Sequence, residues 1–315
     1  MPVIESAFRP PWLLSNGHMQ TILGALLRRR PAAFQRERLE LADGDFLDLD
    51  WQRTGHSRLA ILSHGLEGCS TAGYITSIAA ALDAAGWDVL AWNMRGCGGE
   101  LNRLARGYHS GESGDLRTVI SHAATTSYDT LSLIGFSLGG NVTLKYLGES
   151  PPHPKVASAA CVSVPVDLRA SADALDTRRE NGLYLRRFLR TMVAKMQAKA
   201  LRFPDQIARA DLTQIRTLRE FDGLFTAPLH GFKDAEDYWA KSSSRQFLGR
   251  IAVPTLLINA RNDTFLTPHS MPFEEAEASK HFHFEGPASG GHVGFLTSLP
   301  APPWHEQRVV EFLKG

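Results

Sequence analysis

The sequence predicts an α/β protein, with a mostly parallel, doubly wound sheet, an antiparallel hairpin near the N-terminus and a helical insertion late in the chain. Three observations lead there. Short, near-continuous apolar runs recur at 59–65, 87–96, 130–137, 156–165 and 253–263, and such runs suit strands covered on both faces. Between the first four lie segments of helical period, "YITSIAAALDAAG", "GDLRTVISHAAT" and "GGNVTLKYLGES"; alternating strand and helix builds a parallel sheet through crossovers. From about Leu168 to Arg245 the alternation stops and only helical patterns remain.

Taken in order, the first sixty residues read as a leader followed by a hairpin. "RERLEL" and "FLDLDWQ" alternate apolar and polar positions around the turn sequence "ADGD". The five apolar runs then supply the parallel strands, and "HFHFEG" (281–286) and "EQRVVEFLKG" a last strand and helix. Within the insertion, Leu185, Leu189, Met192, Val193 and Met196 recur at i, i+4, i+7, i+8 and i+11, one apolar stripe. Loops at the carboxyl ends of parallel strands surround ligand sites. The expected organisation is therefore a core of residues 1–167 and 246–315 with a helical cap over 168–245.

Composition narrows the classes. The 315 residues are 43% hydrophobic and 21% charged, an ordinary globular balance, and a net charge of +1 gives no reason to expect a nucleic-acid partner. Cys69, Cys97 and Cys161 show no C-x-x-C spacing, so reduced thiols are expected rather than a zinc site or disulfides. No signal-peptide pattern and no run of eighteen apolar residues is visible, and a cytoplasmic location is the expectation.

The chemistry centres on "LIGFSLGGN" (133–141), where a G-x-S-x-G turn follows a buried strand and opens a helix. In that setting Ser137 sits on a strained nucleophile elbow, with glycines leaving room for strand and helix to approach. A serine hydroxyl needs a base and an orienting acid, which in this topology follow in the order Ser, acid, His. Asp263 in "NARNDTFLTP" and His292 in "ASGGHVGFL" fit that order. For the oxyanion the expected donors are the N–H of Leu138 and, from "SHGLEG" (63–68), the N–H of Leu66, with His64 and Gly65 shaping the turn.

Other residues compete for these roles. Asp167, Asp222, Asp234 and Asp237 are alternative acids. His281 and His283 read as strand-face residues rather than metal ligands, since a metal site needs more donors than two. Cys97 in "RGCGG" lacks an elbow-like frame. His18 in "SNGHMQT" and His109 in "YHSGESGD" read as packing or hydrogen-bonding residues behind the site. "LLRRR" (26–30) reads as a solvated helix end. Residues 169–202 hold nine Arg or Lys against three Asp or Glu. That is either a solvated helix face or a basic rim offering anionic substrates or a lipid interface a transient contact.

With these motifs in view, the chain resembles the α/β-hydrolase superfamily, and within it the YheT-like branch of esterases, whose eukaryotic relatives are abhydrolase-domain proteins acting on lipid esters. The resemblance spans about residues 8 to 312 and rests on "FRPPWLLSNGHMQTI", "SHGLEGCSTAGYI", "WNMRGCGG", "YHSGESGDL", "GFSLGGN", the "ND" at 262–263 and "GGHVGF". It implies a triad of Ser137, Asp263 and His292, an oxyanion loop at His64–Leu66, and cleavage of a small-molecule ester with no metal or organic cofactor. The membrane anchor of the animal relatives is not carried over. Thioesterase or acyltransferase chemistry on the same triad, and a non-enzymatic ligand-binding protein, are the alternatives; haloalkane or epoxide chemistry needs Asp where Ser137 stands.

Overall fold

The structure, a computed structural model, describes residues 2–27, 33–208, 212–298 and 301–315. Among these, nine strands make one sheet in the order β1-β9-β8-β7-β6-β4-β5-β3-β2. They are β1 Val3–Ile4, β2 Gln35–Glu40, β3 Phe46–Gln52, β4 Arg58–Ser63, β5 Asp88–Asn93, β6 Thr130–Phe136, β7 Val156–Val162, β8 Thr255–Ile258 and β9 Phe282–Glu285. From β1 to β5 every pairing is parallel, while β3 runs antiparallel to β5 and to β2. The predicted α/β architecture and the edge hairpin are both present.

Why the central strands read as unbroken apolar runs is visible in β4. Leu59 and Ile61 enter one buried cluster with Leu116, Val119 and Val142, while Ala60 and Leu62 enter another with Ile75, Ile78 and Val309. Those partners come from α3 Ser113–Ala124 and α4 Leu138–Glu149 on one face, and from α2 Gly73–Ala84 and α8 Trp304–Lys314 on the other. Both faces exclude water, so neither can carry polar residues at low cost.

The hairpin differs in one respect from its alternating pattern. β3 is not half-exposed, because it lies between β2 and β5 and its polar positions are buried too. Asp48 and Asp50 are held there by Arg38 at 2.9 Å and Arg36 at 2.7 Å from β2. The leader holds structure that its sequence did not announce: β1, too short to show a period, pairs with β9, and α1 Gly17–Leu27 packs near the site. Arg28, Arg29 and Arg30 of the "LLRRR" segment lie outside the described residues. His281 precedes β9 and is exposed, whereas His283 lies on the strand.

Between β7 and β8 the described residues are helical or irregular. They form α5 Leu168–Thr177, α6 Gly182–Arg202, a short distorted run (Leu218–Phe221, a π turn Asp222–Thr226 and Ala227–Leu229) and α7 Ala235–Ser242. They share an apolar cluster that includes Leu185, Leu189, Met192, Phe225 and Trp239, separate from the two sheet layers. No helix among the described residues is long and apolar enough to cross a membrane.

Glycine decides how closely β6, α4 and the loop after β4 approach one another. A Cβ on Gly135 would stand 2.5 Å from the Gly140 Cα, and one on Gly139 would overlap the carbonyl oxygens of Ser63 and His64. Gly139→Ala should therefore force backbone apart at a well-packed centre and cost about 1–3 kcal/mol. Urea unfolding checks this; a stability equal to that of the parent would show that the approach is not limiting.

Candidate active site

Ser137 occupies the turn between β6 and α4 with φ 51° and ψ −122°, a left-handed conformation that side chains disfavour. The turn holds because the Ser137 N–H donates to the Val162 carbonyl at 2.9 Å and the Gly140 N–H to the Ser137 carbonyl at 3.0 Å. Asp263 follows β8, buried to 3% exposure. Its Oδ1 accepts the Phe265 N–H at 3.0 Å, which aims Oδ2 at His292 Nδ1, 2.7 Å away. His292 Nε2 in turn lies 2.9 Å from Ser137 Oγ. A carboxylate only accepts, so Nδ1 carries the proton and Nε2 is free to accept from the hydroxyl. The structure thus brings together all three residues singled out from the sequence.

The competing acids have other duties. Asp167 caps α5 through the Ala170 N–H at 3.0 Å, and Asp234 caps α7 through the Asp237 N–H at 2.9 Å. Asp237 binds Lys241 at 2.7 Å. Asp222 accepts from Thr226 Oγ1 at 2.7 Å and Trp239 Nε1 at 2.9 Å, and burial raises its carboxyl to about 6.

Around the serine, a Cβ on Gly65 would stand 3.1 Å from the Ser137 Cβ, so the loop after β4 abuts the hydroxyl-bearing carbon. Among the described residues no hydrogen bond engages the N–H of Leu66 or of Leu138. Leu138 N–H stands at the α4 N-terminus, where the helix dipole favours negative charge. His64 braces the loop from behind. Its Nε2 accepts the Met94 N–H at 3.1 Å, so its Nδ1 carries hydrogen and donates to the Gly65 carbonyl at 2.8 Å. Complete burial depresses its value from 6.5 to about 4 and keeps the ring neutral.

The histidine loop rests on groups that the sequence reading did not single out. The His292 N–H donates to Thr21 Oγ1 at 2.8 Å, the Gly291 N–H to Asn262 Oδ1 at 3.0 Å and the Val293 N–H to Ser163 Oγ at 2.8 Å. Gln20, fully buried, accepts the Leu296 N–H at 2.6 Å and donates to the Leu296 carbonyl at 3.1 Å. Gln20 and Thr21 belong to "SNGHMQT", which was recognisable as a motif, but no periodicity or spacing ties a leader helix to a loop some 270 residues away. His18 stacks on Tyr184 of α6, its Nδ1 3.1 Å from the phenol, and does not touch the triad. His109 packs edge-on to His230 and Tyr238, with its Nε2 3.3 Å from Glu112. Burial pushes the Cys97 thiol up to about 12, which leaves it a poor nucleophile.

Ser137 and His292 open onto a cavity whose far wall comes from the helices between β7 and β8. The stripe on α6 divides there: Met192 and Met196 line the cavity, while Leu185 and Leu189 are buried in the cluster behind it. The basic count of this segment is also divided. Arg178 and Lys199 donate to backbone carbonyls and Lys195 pairs with Glu67, so these three point inward. Among the described residues no group of three or more His, Cys, Asp or Glu is placed to hold a metal ion.

Residues 61–299 match the family model for the alpha/beta hydrolase fold. The chain belongs to the α/β-hydrolase fold family. It is 35% identical to YheT of Escherichia coli (strain K12), an esterase by name, over 98% of this chain and 93% of that one. It is 28% identical to phospholipase ABHD3 of Mus musculus, over 95% of this chain and 75% of the relative. Among solved structures, an esterase from Pyrococcus furiosus superposes with a TM-score of 0.60 at 20% identity, covering 89% of this chain and 90% of that one, a likeness of fold. Family and relatives together support a hydrolase of esterase or lipase type.

The neutral His64 gives an acid limit to the fold. Between pH 6.5 and about 4 the unfolded chain binds a proton at this residue that the folded chain refuses. Stability is therefore complete above 6.5 and is lost as pH falls through that window. Melting temperature should fall more steeply from pH 6.5 to 4.5 in the parent than in His64→Asn; parallel slopes would remove His64 from the account.

Proposed function

We propose that the chain is a serine carboxylic-ester hydrolase working through an acyl-enzyme, with Ser137 as nucleophile, His292 as general base and acid, and Asp263 as the orienting carboxylate. The carrying observation is the continuous run from the Asp263 carboxylate through His292 to Ser137 Oγ, at 2.7 and 2.9 Å, opening onto an apolar cavity. In the acylation step the Ser137 oxygen attacks the ester carbonyl while His292 Nε2 takes its proton. The imidazolium, stabilised by Asp263, then gives that proton to the departing alkoxide. Water repeats the sequence on the acyl-enzyme and frees the acid. The developing oxyanion faces the two unengaged N–H groups, of Leu66 and Leu138, where donors need no reorganisation.

The substrate we assign is a medium-chain or lipid-like ester. The helices between β7 and β8 act as a cap over residues 168–245, and Phe188, Met192 and Met196 give the cavity an apolar, adaptable wall. Each methylene buried there adds about 0.8 kcal/mol of apolar transfer.

Ser137→Ala should abolish covalent labelling by a fluorophosphonate and reduce esterase turnover about 10⁴-fold or more. Label that persists and maps to another serine would sink the assignment. Asp263→Asn should lower turnover on the order of 10³- to 10⁴-fold by turning the imidazole, while Asp167→Asn, which touches only a helix cap, stays near the parent. Reversed effects would move the acid to the strand before the cap.

The division of the α6 stripe makes a sharper expectation. With p-nitrophenyl esters of increasing chain length, Met192→Ala should shift the preferred length while melting changes little. Leu189→Ala, buried behind the wall, should cost about 2–5 kcal/mol and leave the profile alone. A parent that prefers acetate to octanoate would refute the chain-length claim.

A further inference from the structure

The residue after the expected oxyanion donor is held by the cap. Glu67 follows Leu66 with φ 53°, a left-handed conformation unusual for a residue carrying a Cβ. Its N–H donates to the Tyr108 phenol oxygen at 3.0 Å, and that phenol donates back to Glu67 Oε1 at 2.7 Å. The same oxygen accepts from Lys195 Nζ at 2.9 Å. The Glu67 side chain is only 7% exposed, so this charge is shielded from water and depends on its partners. Lys195 lies on α6, in the insertion, 128 residues further along the chain. The Leu66 side chain meanwhile packs against the apolar cluster of the same insertion.

Resting on the ester-hydrolase reading above, we infer that Lys195 is a positioning residue: through Glu67 and Tyr108 it fixes the turn that aims the Leu66 N–H at the oxyanion. The geometry leaves little slack. Gly65 abuts Ser137 on one side of Leu66, and Glu67 is pinned on the other by two groups converging on one carboxylate oxygen. A residue in the left-handed region relaxes when its restraints go; relaxation at Glu67 turns the Leu66–Glu67 peptide, and Leu66 passes that turn to the preceding peptide, which carries its N–H. Lys195 also lies 3.4 Å from Cys97 Sγ, and burial keeps that thiol uncharged, so among the described residues Glu67 is the anionic partner of its ammonium. Its charge is thus spent inside the protein, where a surface reading of the basic cap would have placed it on the rim. The oxyanion hole is complete only with the cap seated.

The test compares the parent with Lys195→Met, Lys195→Arg and Tyr108→Phe, using fluorophosphonate labelling rate and kcat and KM for a neutral p-nitrophenyl ester, with rates expressed per titrated Ser137. Lys195→Met should lower both labelling rate and kcat at least tenfold with KM within threefold, since a misaimed donor acts in the transition state. Lys195→Arg should recover most of that loss. Tyr108→Phe is nearly isosteric and removes the other hold on Glu67; it should lower kcat at least fivefold, and it carries the test should Lys195→Met fail to fold. A Lys195→Met enzyme labelled at the parent rate, a loss confined to KM, or parent kcat in Tyr108→Phe would overturn the clamp. An unlabelled parent would instead overturn the ester-hydrolase reading.

Discussion

The approach of α4 to the loop after β4 is the constraint on which the rest of this structure depends. No side chain fits at Gly139 because the carbonyl oxygens of Ser63 and His64 occupy the space a Cβ would need. That contact puts the start of α4, the end of β6 and the loop after β4 within one backbone diameter of each other. It has two consequences. Ser137 turns in a conformation that disfavours side chains, and among the described residues no hydrogen bond engages the N–H of Leu66 or of Leu138. Unpaired backbone donors are costly when buried, so the fold accepts a local penalty where an anion would relieve it.

Strain is distributed accordingly. Among the described residues, the non-glycine positions with positive φ are Glu67, Ser137, Ser163, Val293 and Phe295. Two are the expected nucleophile and the neighbour of an expected oxyanion donor, and the others lie in the histidine loop or bind it: Ser163 Oγ accepts the Val293 N–H. Each such residue costs about 1–3 kcal/mol, which persists only where surrounding bonds over-determine it. Here they do. Tyr108 and Lys195 hold Glu67, the Val162 carbonyl holds Ser137, and Phe295 is fully buried with its N–H on the Gly290 carbonyl at 2.9 Å.

How much of this was legible in the sequence follows from what each feature depends on. The parallel strands were legible because burial on both faces writes an apolar run, as at Leu59–Leu62. That Ser137, Asp263 and His292 meet was legible because the three stand at strand ends in a fixed order. Asp48 and Asp50 were misleading: alternation normally marks a wet face, but Arg36 and Arg38 neutralise the two carboxylates and allow the strand to be covered. β1 and α1 were not legible. A two-residue strand has no period, and α1 turns Gln20 and Gly24 inward while leaving Met19, Ile22 and Leu26 exposed, the reverse of the usual pattern. Lys195 was one of the nine basic residues counted over 169–202, and that count could not place it, since charge along a helix does not say which side its partner occupies.

The N-terminal helix and the helices between β7 and β8 lie far apart in the sequence yet converge on one point, and that convergence argues for their shared role. Thr21 of α1 holds the His292 backbone, and His18 of the same helix stacks on Tyr184 of α6. Tyr184 lies 4.8 Å from the Phe265 ring, edge-on, and Phe265 lies 4.3 Å from the His292 ring. Phe265 in turn donates its N–H to the Asp263 carboxylate. The imidazole is therefore fixed by the acid at one nitrogen, roofed by an aromatic ring and tied at its backbone by the leader. A ring so enclosed keeps its orientation through the proton transfers that the proposed chemistry asks of it. The N-terminal helix and the helices between β7 and β8 are in this sense further supports for the same two hydrogen bonds, those that His292 makes with Asp263 and Ser137.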